Sequence, residues 1–213
     1  MRLGMPIFAT GLTLTALLSS IPAAAQTPAE QFVQASADRA VAILTDTSLG
    51  EPDRKTQLRD FLSTVLDLRR MATYTLGTAA KSASAADVDA FVAAYRNFAI
   101  ANYNSAFSSY SGQTIHVTGS VQRSDTDFVV TTEIVDAAPK SDPPTLVSFR
   151  VVKEDGKFAV VDANVQGVWF TVSQHDGFTS FLSQHNGDVP TLTTRLGDMT
   201  AKLESGESKP AIP

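Results

Sequence analysis

The residues of this chain best suited to chemistry sit late in the sequence: His175, Asp176 and His185, with Asp162 upstream. A histidine beside a carboxylate is the acid–base part of a hydrolase, and converging histidines and carboxylates can hold zinc. Each chemistry needs more than that. A hydrolase needs a nucleophile elbow, and no Gly-x-Ser-x-Gly occurs. A zinc site needs three or four converging ligands, and there is neither a His-Glu-x-x-His helix nor any cysteine. His175 and His185 lie ten residues apart across a stretch that reads as loop and helix, so they need not share a face. The preferred reading is two surface histidines beside a helix start. His116 falls in an alternating strand and reads as outward or satisfied. Asp162 has apolar neighbours, and its preferred role is a hydrogen-bonded turn or strand-end residue. A paired-carboxylate glycosidase stays open on these grounds, as does a hydrolase built on His175, Asp176 and His185. The expectation is a protein that is not an enzyme and carries no metal or cofactor.

Composition narrows the classes further. The 213 residues suit one domain with a sizeable core. The formal net charge is -5, and no run of Lys or Arg occurs. Nucleic acid is therefore not an expected partner, because phosphate binding needs a concentrated basic face. The same acidity argues against a seat on an anionic membrane surface. At the N-terminus, Arg2, an apolar stretch from Ile7 to Leu18 and Ala23-Ala24-Ala25 form the pattern of a secretory signal. The stretch is too short and too rich in Thr and Ser to span a bilayer. Residues 1–25 are thus expected to be removed. They would leave a single domain over 26–204 outside the cytoplasm and a disordered tail over 205–213.

The elements that must position any site read as helices, then strands, then helices, within about 28–111, 113–172 and 176–204. Thr27, Pro28 and Glu30 form a capping box with proline at the first helical position. Leu58, Phe61, Leu62 and Val65 mark a second helix, and Gly77 stops a third. Ser84 caps a long helix running to about Gly112, whose stripe includes Phe91, Tyr95, Phe98, Tyr103, Phe107 and Tyr110. Four or five strands with hairpin-length links follow, a fifth being Gly167–Val172, and imply an antiparallel meander. Leu192, Leu196, Met199 and Leu203 share one face of the final helix. The predicted fold is α+β: a curved antiparallel sheet of four to five strands with helices on its concave side around an apolar cavity.

Three stretches carry a resemblance. They are "FLSTVLDLRRMATYTLG" with Phe61, Asp67, Met71, Ala72, Leu76 and Gly77, then "FVAAYRNFAIANYNSAFSSYSG" with Phe91, Phe98, Tyr103, Tyr110 and Gly112, and "GKFAVVDANVQGVWF" with Gly156, Val160, Asp162, Val165, Gly167 and Val168. In this order they resemble the periplasmic phospholipid-binding proteins of the toluene-tolerance, or MlaC, family from about Asp53 to Leu203. Phe158 stands where that family has Trp, Trp169 where it has Ser, and Gln174-His175 where it has Tyr-Arg. The resemblance implies a soluble carrier of a phospholipid or other membrane lipid, hopanoids included. Its partners would be an outer-membrane lipoprotein–porin complex and an inner-membrane ABC-type lipid transporter. Together with facing arguments it implies a lipid pocket lined by Leu76, Phe91, Tyr95, Phe98, Tyr103, Phe149, Val151, Phe158, Val165, Val168, Phe178 and Leu182.

Overall fold

The computed structural model describes residues 25–108, 110–137 and 144–209. The expected signal segment (but for Ala25), most of the Pro-containing loop at 137–144 and the end of the tail lie outside these residues. Five helices come first: α1 (Pro28–Thr45), α2 (Glu51–Val65), α3 (Leu68–Leu76), α4 (Ala79–Ser82) and α5 (Ala85–Phe107). The strands β1 (Thr114–Ser124), β2 (Asp127–Val135), β3 (Thr145–Glu154), β4 (Lys157–Val165) and β5 (Val168–Trp169) follow, then α6 (Phe170–Gln184) and α7 (Val189–Glu204). The strands form one antiparallel sheet in sequence order, an open meander in an α+β fold.

Local chemistry accounts for the element ends. At α1 the Glu30 amide donates to Thr27 Oγ1 at 3.3 Å and the Thr27 amide donates to Glu30 Oε2 at 2.7 Å, completing the capping box. Ser84 caps α5 by accepting from the Asp87 amide. The β3–β4 hairpin turns on Asp155 and Gly156, both at positive φ, the geometry whose twist matches the flanking strands. Two ends differ from the sequence expectation. Helix α5 stops at Phe107, short of Gly112, where the Ser108 amide reaches both the Asn104 and Ser105 carbonyls and tightens the last turn. Helix α6 starts at Phe170, where the sequence suggested strand, and β5 shrinks to two residues.

Each edge of the sheet is met at one point within the chain, which shortens the template it offers for unwanted pairing. Gln34 of α1 acts as a short surrogate strand. Its Nε2 donates to the Ile115 carbonyl at 3.0 Å and its Oε1 accepts the Val117 amide at 2.9 Å. At the opposite edge, beyond the short β5, Leu66 bridges Val160 in parallel and the Asp67 amide donates to the Val160 carbonyl at 3.0 Å. The sheet face that turns to the helices carries Val117, Phe128, Val130, Phe149, Val151 and Val160, and these join α2, α3, α5, α6 and α7 in one core. The sheet also carries a paired charge. Arg150 of β3 donates from Nε and Nη2 to the Asp127 carboxylate of β2 at 3.2 and 2.8 Å.

Two predictions follow from this framework. Gln34→Ala should lower the unfolding free energy by about 1 kcal/mol in urea denaturation; an unchanged midpoint would mean that water replaces the side chain at no cost. The Asp127 carboxyl is held below the usual carboxylate range, chiefly by the hydrogen bonds from Arg150 and against the effect of burial. Its stabilising contribution is therefore complete above the unfolded-state carboxylate pKa near 4 and is lost as pH falls through the lowered value. Asp127→Asn should flatten the acid limb of a stability–pH profile, and a limb as steep as that of the natural chain would contradict the assignment.

Candidate functional site

The core is dominated by a layer of rings between α5 and α6. Phe91 meets Phe178 edge-on at 6.1 Å and Tyr95 at 6.2 Å. Phe98 lies 6.5 Å from both Tyr95 and Phe178. These spacings favour the offset and edge-to-face contacts that aromatic quadrupoles prefer. Helix α5 takes its main backbone neighbours from α7, α3 and α2, whereas the sheet's are α1, α2, α3 and α6. Side chains therefore span the gap between α5 and the sheet. Leu76, Phe91, Tyr95, Val130 and Val151 expose essentially no surface.

One buried carboxylate organises the start of α6. Asp162 is 5% exposed, and its Oδ1 accepts the Ala163 and Thr171 amides, each at 2.9 Å. Its Oδ2 accepts the Thr171 hydroxyl at 2.6 Å. Trp169, at the N-cap, offers no capping side chain, so Asp162 supplies the acceptor from the neighbouring strand. That is the physical reason α6 begins at Phe170. Its first turns then place Gln174 to accept the Tyr95 hydroxyl at 2.7 Å, the polar tether between α5 and α6. Burial pushes the Tyr95 hydroxyl pKa well up, with Tyr103 and the Asp162 charge adding to it. The Tyr103 ring is half-buried, yet burial, and secondarily Asp162, push its hydroxyl up as well.

The next residue ties α6 to α3. His175 Nδ1 lies 3.0 Å from the Tyr74 carbonyl, and the two rings stand 5.3 Å apart. Gly77, at φ 58°, leaves room for this ring, because a Cβ there would fall 2.7 Å from His175 Cε1. His185 stacks on Phe181 at 3.9 Å at the other end of the helix. Among the described residues no group of three His, Asp or Glu could hold a metal.

Of the residues predicted to line a pocket, Leu76, Phe91, Tyr95, Phe98, Val151, Phe178 and Leu182 come together as buried members of the main core, with Tyr103, Phe149 and Phe158 packed against it. Val165 belongs to a second cluster with Val147, Ala163 and Phe170, which Phe149 joins to the first. Val168 does not belong. It is 51% exposed, because the Gln166-Gly167 turn, both residues at positive φ, swings β5 back at the sheet edge where no helix covers it. The sequence did not single out Val130, which lines the same face, and it marked Gln174 only as a departure from the family pattern, without its bond to Tyr95. Strand alternation from Phe128 could have found the first. Two clefts open elsewhere. One of about 700 Å³ lies among α2, α5 and α7, where Asn104 Oδ1 is buried without a partner. The other, of about 840 Å³, runs from Asp67 to Lys81 along α3 and α4 and reaches Glu154 and His175.

An open antiparallel sheet with one apolar face, roofed by an aromatic helix layer, defines an α+β fold with its apolar interior between sheet and helices. Comparison with known proteins gives the family. The chain matches the MlaC protein family over residues 34–198 and belongs to it. Among solved structures it is similar to a phospholipid-binding protein from Ralstonia solanacearum, determined in complex with a phospholipid, at 23% identity and a TM-score of 0.72. The match covers 83% of this chain and 98% of the other. At that identity the likeness shows the fold. No curated protein matches the chain.

Gly77→Ala should destabilise the protein by about 2 kcal/mol, from the positive φ and the contact with His175 together. Adding His175→Ala should recover the steric part in thermal unfolding. No recovery in the double variant would show that backbone strain alone is responsible.

Proposed function

We propose that this chain is a carrier that holds a membrane phospholipid by its acyl chains between α5, α6 and the sheet, and shuttles it through the periplasm between outer- and inner-membrane transport complexes. Membership of the MlaC family supports a binding and transport role over an enzymatic one. The fold shared with a protein crystallised with a phospholipid supports the same reading. The observation that carries it is the ring layer, a continuous apolar surface from Val165 through Phe149 to Phe91 and Phe178. The pocket residues named from the sequence are proposed to meet the acyl chains, Val168 excepted.

The energetics suit a carrier. Burying acyl chain contributes about 0.8 kcal/mol per CH₂, so two long chains amount to roughly 20 kcal/mol before ordering costs. Spontaneous loss into water would be negligible, and release would need a partner that stabilises an opened form. Because side chains span the gap between α5 and the sheet, uptake requires those helices to move off the sheet, with the Tyr95–Gln174 tether among the contacts that give way. Among the described residues no helix is long and apolar enough to cross a membrane.

The test is native mass spectrometry of protein purified from its own periplasm without detergent, followed by exposure to phospholipid vesicles. One diacyl lipid per chain, retained through purification or taken up from the vesicles, is the expected result. A bare protein that also fails to take lipid from vesicles would sink the proposal.

A further inference from the structure

The cleft of about 840 Å³ is walled by α3 and by His175 of α6, two helices whose opposite faces enter the core. Helix α3 turns Met71, Ala72, Thr75 and Leu76 into the core and Arg69, Arg70, Thr73 and Tyr74 toward the cleft. Helix α6 divides in the same way, with Phe178 inside and His175 in the cleft. The cleft therefore overlies the seam between two helices whose inner faces would contact acyl chains.

Its chemistry is cationic in a chain of net charge -5. Arg69, Arg70, Lys81 and the His175 ring line it, against Asp67 and Glu154. These groups are not equally committed. Arg69 is held by Asp89 at 2.8 Å, and the Asp67 carboxylate accepts the Arg70 amide at 2.9 Å as the cap of α3. Arg70 reaches Glu154 only at 3.9 Å, and Lys81 has no carboxylate partner among the described residues. His175 engages Tyr74 through Nδ1, which leaves Nε2 for another group. Tyr74, 48% exposed, puts an amphipathic ring at the rim, the type of side chain favoured where apolar and wet surroundings meet.

We infer that this cleft seats the phosphate of the carried lipid, with Arg70 and Lys81 as its cationic partners and His175 Nε2 beside them. Arginine and lysine bind phosphate oxygens through charge-assisted hydrogen bonds that a neutral headgroup cannot match. The inference rests on the carrier reading and adds a headgroup requirement to it: the chain distinguishes lipids by the presence of a phosphate as well as by their chains.

The experiment compares uptake from vesicles containing phosphatidylglycerol and diacylglycerol of identical acyl chains, read by native mass spectrometry. The natural chain should load phosphatidylglycerol about tenfold more than diacylglycerol. The double variant Arg70→Gln/Lys81→Glu, checked for folding by circular dichroism, should bring the ratio close to one, while Lys55→Glu in the other cleft should leave it unchanged. Equal loading of both lipids by the natural chain, or a preference that survives in the double variant, would overturn the headgroup seat and leave the carrier reading standing. No loading of either lipid would overturn both. A parallel titration with inorganic phosphate, followed by ³¹P NMR without lipid, separates the two sources of phosphate. Tight binding that the double variant abolishes without changing the lipid ratio would assign the cleft to free phosphate and overturn its role as a headgroup seat.

Discussion

A buried carboxylate must be satisfied or expelled, since leaving one unpaired in an apolar interior costs several kcal/mol. Asp162 meets this demand by accepting from two amides and one hydroxyl, and in doing so it fixes where β5 gives way to α6. The rest of the site inherits that position. A helix begun one turn later would carry Gln174 away from Tyr95 and His175 away from the Gly77 notch. The ring layer, the tether and the cleft all take their register from a single side chain on the sheet.

On the carrier reading, that arrangement would hold one apolar surface without sealing it permanently. The attachments of α6 fall into two kinds. At its N-terminus they are short hydrogen bonds to the sheet, deep and geometrically exacting. Farther along they are ring contacts, the Tyr95 hydroxyl on Gln174 and the His175 ring on the Tyr74 carbonyl. A helix anchored at one end and held by packing along its length can swing about the anchor, and Gly177, just beyond His175, is a point of low helical propensity in that span.

Much of this was legible from residue order. The capping box of α1 and the aromatic stripe of α5 as far as Phe107 are short-range signals, and the structure realises both, with Tyr110 past the helix end. What stayed hidden depended on distant partners. The start of α6 follows from an acceptor eight residues before Phe170 on another element, so propensity favoured a strand through Val168 and Trp169. Val168 has the character of a core residue and an edge position that leaves it in solvent. The edge role of Gln34 was equally invisible, because its partners Ile115 and Val117 lie some eighty residues on.

The sequential strand order carries a kinetic consequence. Every strand pairs with its immediate neighbour in the chain, so the sheet can zip from local hairpins without long loop closures, the topology associated with fast folding. With no cysteine in the chain, no thiol oxidation step stands between that zippering and the native state. The long closures left join α1 to β1 and Leu66 to Val160, and each must wait until both ends of a span of some eighty residues or more are made.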